Sequence, residues 1–228
     1  MKYAIIGLGQ FGSALAIELA DSGHEVLAID TDENHLREVR DRVALAAHAD
    51  GNDPVALEQL GVGDVDAAIV AIGEGFEASL MITAHCQKLG SRRVYTRVIN
   101  DVQDRLLDLM EVTGKIRAES LAAANFAHRI THETVRRYFE IGGGHAIVEV
   151  DLPEGYIGKT LAEAQFRTAW KINVVTVRRP SGVPASGECK TSYEVVGTLD
   201  PSFRFGCGDR LVLFGKGQDV ERFCDTAI

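Results

Sequence analysis

Along the first half of the chain, short apolar runs alternate with stretches whose apolar residues recur at three- and four-residue spacing. Tyr3-Ala4-Ile5-Ile6, ending at Gly7, predicts a buried parallel strand. Ser13 to Ser22 carries Ala14, Leu15, Ile17, Leu19 and Ala20 and predicts a helix closed by Gly23. Glu25 to Ile29 predicts the next strand, ending at Asp30, and Thr31 or Asp32 can cap a helix that buries Leu36, Val39 and Val43. A strand over Ala44 to His48 follows, and Asp53-Pro54 opens a helix through Leu57 and Leu60. The apolar run Ala67 to Ile72 closes at Gly73. It leads to a helix over Phe76 to Leu89, a strand over Arg93 to Val98, a helix over Val102 to Met110 and a short strand around Ile116. This order predicts an α/β fold: a Rossmann-like, doubly wound parallel sheet with helices on both faces.

The second half has a different grammar. Ser120 to Phe139 predicts a longer helix, rich in alanine at its start, that runs to Gly142-Gly143-Gly144. The triple glycine reads as a linker. Beyond it the pattern predicts strands over Ala146 to Val150, Asn173 to Val177 and Asp209 to Phe214. Gly158-Lys159-Thr160-Leu161 opens a short helix, Gln218 to Cys224 forms a last one, and loops are expected over 180–208. The expected division is a first domain with its connecting helix over 1–141 and a smaller α+β domain over 142–228.

Composition narrows the function classes. Hydrophobic residues make up 46% and charged residues 25%, and the net charge of -9 argues against binding a phosphate backbone, so no nucleic-acid partner is expected. Cys86, Cys189, Cys207 and Cys224 form no C-x-x-C pair and read as free thiols of a reducing compartment. The apolar start is interrupted by glycines and reads as strand plus turn rather than signal peptide. No apolar stretch reaches the roughly 20 residues that span a bilayer, so no direct membrane insertion is expected.

The chemistry concentrates at Gly7-Leu8-Gly9-Gln10-Phe11-Gly12, which follows a strand, opens a helix and precedes Asp30 by 18 residues from Gly12. That spacing is a dinucleotide-binding fingerprint. Gly7 permits the turn, Gly9 lets backbone approach a pyrophosphate, and Gly12 lets helix and strand pack closely. The helix N-terminus offers N–H groups to phosphate. Asp30 accepts from an adenosine ribose and disfavours NADP. The fingerprint recognises an adenosine diphosphate moiety, which ADP, ATP, NAD and NADH share. A dehydrogenase needs a catalytic acid or base in the second domain; only His145 offers itself there. His128 and His132 have the i, i+4 spacing of a zinc pair, without an acidic or cysteine ligand at suitable spacing.

Ala4 to Gly12, Val26 to Asp30, Leu60-Gly61-Val62 and Ala68 to Gly73 together resemble the N-terminal RCK domain of Trk and Ktr potassium uptake systems. Gly155-x-x-Gly158-Lys159-Thr160-Leu161, Asn173-Val174-Val175-x-Val177-x-Arg179 and Gly208-Asp209-x-Leu211-Val212-Leu213-Phe214-Gly215 resemble its C-terminal RCK domain. The resemblance implies a non-catalytic cytoplasmic regulator, peripheral to the membrane, whose dimers assemble into an octameric ring under a membrane potassium-translocating subunit. It implies a nucleotide site in which Asp30 holds the ribose and Asp50-Gly51-Asn52 line the adenine side. Ala71 and Gly73 would border the phosphates, with Arg97 near them. Glu119 matches a glutamate that binds Mg or Ca at the dimer seam in some relatives. Many relatives carry Arg where this chain has Gln10. Gln brings no charge to a triphosphate, which favours ADP or NAD(H) over ATP. Cyclic di-AMP is a candidate ligand of the second domain, although Pro180 to Asp200 is unlike the relatives that bind it. Two competing readings are an NAD-dependent oxidoreductase and the detached gating ring of a potassium channel.

Overall fold

Residues 1–181 and 192–226 are described by a computed structural model. Its first six strands are β1 (Lys2–Ile6), β2 (Glu25–Asp30), β3 (Leu45–His48), β4 (Ala67–Val70), β5 (Val94–Arg97) and β6 (Gly114–Ile116). They form one parallel sheet in the order β3-β2-β1-β4-β5-β6. Helices α1 (Gln10–Asp21), α2 (Glu33–Val39), α3 (Pro54–Gln59), α4 (Phe76–Leu89) and α5 (Asp101–Leu109) make the crossovers. Side chains of a strand alternate between faces, and here both faces are apolar. Ile5, Val26 and Ala28 pack with Ala16 of α1 and with Leu36 and Val39 of α2. Ala4, Ile6 and Ile29 pack with Leu57 of α3 and with Ile82 and Cys86 of α4. Ile5, Ile29 and Leu57 are fully buried, each such side chain contributing about 1.5–3 kcal/mol. The strand order reverses between β1 and β4, which opens a crevice beyond their C-terminal ends.

The chain divides into two compact units, Met1–Ser120 and Leu121–Ile228. The expected helix over 120–139 is corrected here. Helix α6 spans Ala118–Thr131, and residues 135–142 are strand β7 (Val135–Gly142), paired antiparallel with β8 (His145–Asp151). The triple glycine is the turn of that hairpin, with all three residues at positive φ (113°, 59° and 72°), a conformation that glycine adopts without a Cβ penalty. A boundary at 141/142 therefore cuts a hairpin whose two strands lie in the second unit.

Strands β9 (Asn173–Ser181), β10 (Ser192–Val195) and β11 (Arg210–Lys216) complete an antiparallel sheet in the order β10-β9-β11-β8-β7. Helices α7 (Leu161–Ala164), α8 (Phe166–Trp170) and α9 (Gly217–Thr226) contribute Ala164, Phe166, Val220 and Phe223 to its core. A capping box fixes the start of α7, with Thr160 and Glu163 bonding each other's backbone N–H. β10 lies in the region expected to be loop, and residues 182–191, which include Cys189, lie outside the described residues.

Candidate functional site

The glycine turn after β1 is built as its spacing requires. Gly7 has φ 94°, a left-handed conformation, and its N–H donates to the Ile29 carbonyl of β2 (2.9 Å). A Cβ on Gly12 would stand 1.9 Å from the Gly7 carbonyl oxygen, so only glycine lets α1 lie this close to the turn. A Cβ on Gly9 would meet no atom within 4 Å. Gly9 is also the N-cap of α1 and has no side chain to satisfy the helix's first N–H groups. Those donors and the positive end of the helix dipole point to an anion.

Asp30, at the end of β2, closes the other side. Its Oδ2 accepts from the Leu8 N–H (2.5 Å) and its Oδ1 from the Asp32 N–H (2.7 Å). A carboxylate has about four acceptor positions, so room for ribose hydroxyls remains. Asp50 folds its loop into a turn by accepting from both the backbone and the side chain of Asn52. Gly73 follows β4, and a Cβ there would stand 2.6 Å from an Arg97 nitrogen, so its absence makes space for the guanidinium.

Arg97, at the end of β5, lies over the Phe11 ring (5.9 Å to its centroid) and forms an ion pair with Glu119. The bond from Arg97 holds the Glu119 carboxyl below the usual carboxylate range. A buried polar network fixes the segment after Arg97: Gln103 accepts from the Ile99 N–H (2.6 Å) and donates to Ser79 (2.9 Å), while Thr83 bonds Thr96 (2.9 Å). Ser79, Thr83, Thr96 and Gln103 are all fully buried.

These elements enclose a cleft of about 620 Å³. It is lined by ten of the expected site residues: Gly7, Gly9, Gln10, Asp30, Asp50, Gly51, Asn52, Ala71, Gly73 and Arg97. Leu8, Phe11 and Gly12 stand behind it. Leu8 and Gly12 are buried, and Phe11 packs against the α1 face of the sheet. Thr31, His35 and Glu74 also line the cleft and were not foreseen. A second, polar cleft of about 370 Å³ shares Gly73 and Arg97 and is lined by Asn100, Asp104, Arg117 and Glu119. Arg97 bonds one oxygen of the Glu119 carboxylate, for which the resemblance implies a metal at a dimer seam. Among the described residues no three His, Cys, Asp or Glu side chains are grouped to hold an ion.

A family model described as the TrkA-N domain matches residues 3–117. The chain is 30% identical over 222 residues to the Ktr system potassium uptake protein C of Bacillus subtilis (strain 168), covering 97% of this chain and 95% of that protein. The chain belongs to the TrkA-N family. The Ktr system potassium uptake protein A of Vibrio alginolyticus is 27% identical over 194 residues, 85% of this chain and 88% of that one. Among solved structures, this TrkA-N chain matches the GsuK channel bound to NAD with a TM-score of 0.51 at 19% identity. The match covers 99% of this chain and 38% of the channel's, and shows a shared fold.

In the second unit of this TrkA-N protein, the histidines weighed as ligands or catalysts have local partners. His128 stacks on Tyr138 with centroids 3.6 Å apart, and His132 pairs with Asp225 (3.2 Å). His145 stacks over Phe214, with Nδ1 3.1 Å from the Gly143 carbonyl oxygen. The Gly208-Asp209 motif has a structural purpose. Asp209 is buried and accepts two bonds from Arg179 (2.8 and 2.7 Å) and one from the Gly206 N–H (2.8 Å). Among the described residues Cys86 and Cys224 are buried, Cys207 is exposed, and no helix is long and apolar enough to cross a membrane.

Proposed function

We propose that this TrkA-N protein is the cytoplasmic, non-catalytic regulatory subunit of a Trk/Ktr-type potassium transport system, controlled by an adenine nucleotide in the first unit. The observation that carries this reading is the open backbone at Gly9, facing a cleft closed by Asp30, in a chain that matches a Ktr potassium uptake protein almost end to end. The nucleotide supplies negative charge at its phosphates and a ribose diol at its other end. The α1 N-terminus and the Gly9 backbone hold the phosphates, Asp30 holds the ribose, and the Asp50-Gly51-Asn52 turn borders the base.

ADP or NAD(H) fits better than ATP. Gln10 in the cleft is uncharged, and the charge of Arg97 is already met by Glu119. A further phosphate at Arg97 must compete with Glu119, which stands in the first turn of α6, a helix that starts in the first unit and continues into the second. The occupant of Arg97 thereby acts on the start of α6. Only a ligand with different affinity for two conformations shifts their populations, and this competition supplies such a difference. The subunit works as a homodimer assembling into an octameric ring, associated with the membrane through its potassium-translocating partner.

Isothermal titration with ATP, ADP, NAD⁺ and NADH tests the site, with and without Mg²⁺. Micromolar binding that differs between members of a pair is expected, and binding of none overturns the nucleotide reading. Potassium flux through vesicles holding the partner pore, with and without the protein and nucleotide, tests the regulatory role. An unchanged flux overturns it. Hydride transfer from NADH to a panel of carbonyl substrates would establish the oxidoreductase alternative instead.

A further inference from the structure

The antiparallel sheet of the second unit has two unlike faces. Val148, Val150, Leu211 and Leu213 form the core with α8 and α9. The residues that alternate with them point the other way. On that second face Arg137 stands opposite Glu149, and Arg210 stands between Asp151 and Arg178. A bulge between Val135 and Arg137 inserts Arg136 beside them, the device by which a strand re-aims a side chain. Arg136 Nε donates to Asp151 Oδ2 (2.8 Å) and Arg210 Nε to Oδ1 (3.0 Å). Arg178 Nη1 donates to both oxygens of Glu149 (2.9 and 3.0 Å), and Arg137 and Arg210 each lie 3.5 Å from that carboxylate. Arg210 also stacks on Tyr193 of β10, with Cζ 3.9 Å from the ring centroid.

Glu149 is 4% exposed, and a carboxylate so buried must be paired. Four guanidinium groups meet two carboxylates, a local surplus of two positive charges (four minus two) in a chain whose net charge is -9. Each guanidinium carries five N–H donors and each carboxylate about four acceptor positions. The carboxylates therefore hold the arginines in place without exhausting them. Arg137 is the open member, its side chain 76% exposed. Two residues along, about 7 Å away, Phe139, Ile147 and Phe214 form an apolar row across β7, β8 and β11. Phe139 is 66% exposed. We propose that this face docks an acidic segment of a partner protein, with its carboxylates on Arg136 and Arg137 and an apolar side chain on the Phe139 row. The inference lies in the second unit and is independent of the nucleotide reading. The same face of a second copy carries the same surplus and is repelled. A nucleic-acid backbone or an anionic membrane meets the net negative charge of the whole chain, whereas a single segment reaches the patch alone. The apolar row offers nothing to a free phosphate.

The test is fluorescence anisotropy of the full chain with a labelled peptide of glutamates flanked by leucines, and with the same peptide carrying glutamine for glutamate. The wild type is expected to bind the first and not the second. Arg137→Gln leaves Glu149 its two bonds from Arg178 and is expected to weaken binding about fivefold, the upper worth of one exposed ion pair. Phe139→Ser is expected to weaken it by about threefold through lost apolar contact. It keeps all four arginines, so it tests the face even if Arg137→Gln fails to fold. Arg92→Gln removes an equally exposed charge from the first unit (side chain 81% exposed) and is expected to change nothing. Equal losses in Arg92→Gln and Arg137→Gln overturn the proposal, because net charge alone then sets the binding. A wild type that ignores the glutamate peptide overturns it, as does a folded Arg137→Gln that binds unchanged. Phe139→Ser binding as the wild type does reduces the face to an oxyanion site, which pyrophosphate then fills, and overturns it too. Binding of phosphatidylserine vesicles that the peptide does not displace assigns the face to lipid instead.

Discussion

Gly9 and Gly12 lie three residues apart in one motif, and alanine at each should damage the protein in opposite ways. At Gly12 the added carbon would stand 1.9 Å from the Gly7 carbonyl oxygen and 3.3 Å from Ala71 Cβ. Real Cβ atoms keep at least 3.0 Å from such neighbours, so α1 must retreat from the turn by about 1 Å. Forcing a methyl into a packed contact costs about 1–3 kcal/mol, and the obstacle here is backbone, which relaxes less than a side chain. Gly12→Ala should therefore lower stability by about 3 kcal/mol or more. At Gly9 the added carbon touches nothing, and the backbone (φ -62°, ψ -173°) is one that alanine adopts freely. Gly9→Ala should change stability by less than about 1 kcal/mol, the stiffer unfolded chain offsetting the poorer N-cap that alanine makes. Its methyl group, however, fills the space where a pyrophosphate would lie against the backbone. An affinity loss of tenfold or more, about 1.4 kcal/mol, is expected. Urea unfolding followed by circular dichroism and titration with ADP and NAD⁺ separate the two effects. If Gly9→Ala binds as the wild type does, no phosphate sits on that turn and the assignment of the cleft is wrong.

Four further outcomes follow from the geometry. Glu119→Gln should free Arg97 and raise the affinity for ATP relative to ADP, and titration of both ligands checks it. Because the folded-state pKa of Glu119 is lowered, its pair with Arg97 is intact above the ordinary carboxylate range and is lost as pH falls through the lowered value. The mutant's ATP preference should thus appear in the wild type on acidification. Burial pushes the Cys86 thiol up from 9.0 to about 12, so its contribution is complete below pH 9 and lost as pH rises from there. Relative to Cys86→Ala, the wild type should lose up to about 1.4 kcal/mol per pH unit across that window, measured by urea unfolding. Arg179→Ala strands the buried Asp209 carboxylate with one remaining N–H donor and should cost about 3 kcal/mol, read as a lower urea midpoint; an unchanged midpoint would show that the pair contributes nothing.

The first unit was legible because its local signals agree. Helix α4 spans Phe76–Leu89 as its apolar spacing predicted, and the glycine spacing fixed the turn after β1. Strand β7 was misread for a physical reason. Val-Arg-Arg-Tyr-Phe-Glu-Ile is rich in aromatic and β-branched residues, but its register shifts between Val135 and Arg137. The irregularity breaks the two-residue alternation that identifies a strand. A helix directly upstream then absorbed the segment. Arg97 and Glu119 are 22 residues apart, and nothing in either local sequence announces their pairing. His35 is one polar residue of a short helix, and nothing in its local sequence places it in the cleft.

Asp30 holds the Leu8 and Asp32 backbone in place before any ligand arrives. It belongs to the scaffold as much as to the binding surface. A variant at Asp30 intended to abolish binding would also loosen the turn that positions Gly9, and would confuse the two effects. The same duty restrains divergence. Descendants of this chain can acquire a new ligand preference by exchanging Gln10 or His35, which reach into the cleft without fixing its backbone. Asp30 can change only together with the loop it holds, so specificity should drift around a carboxylate that stays.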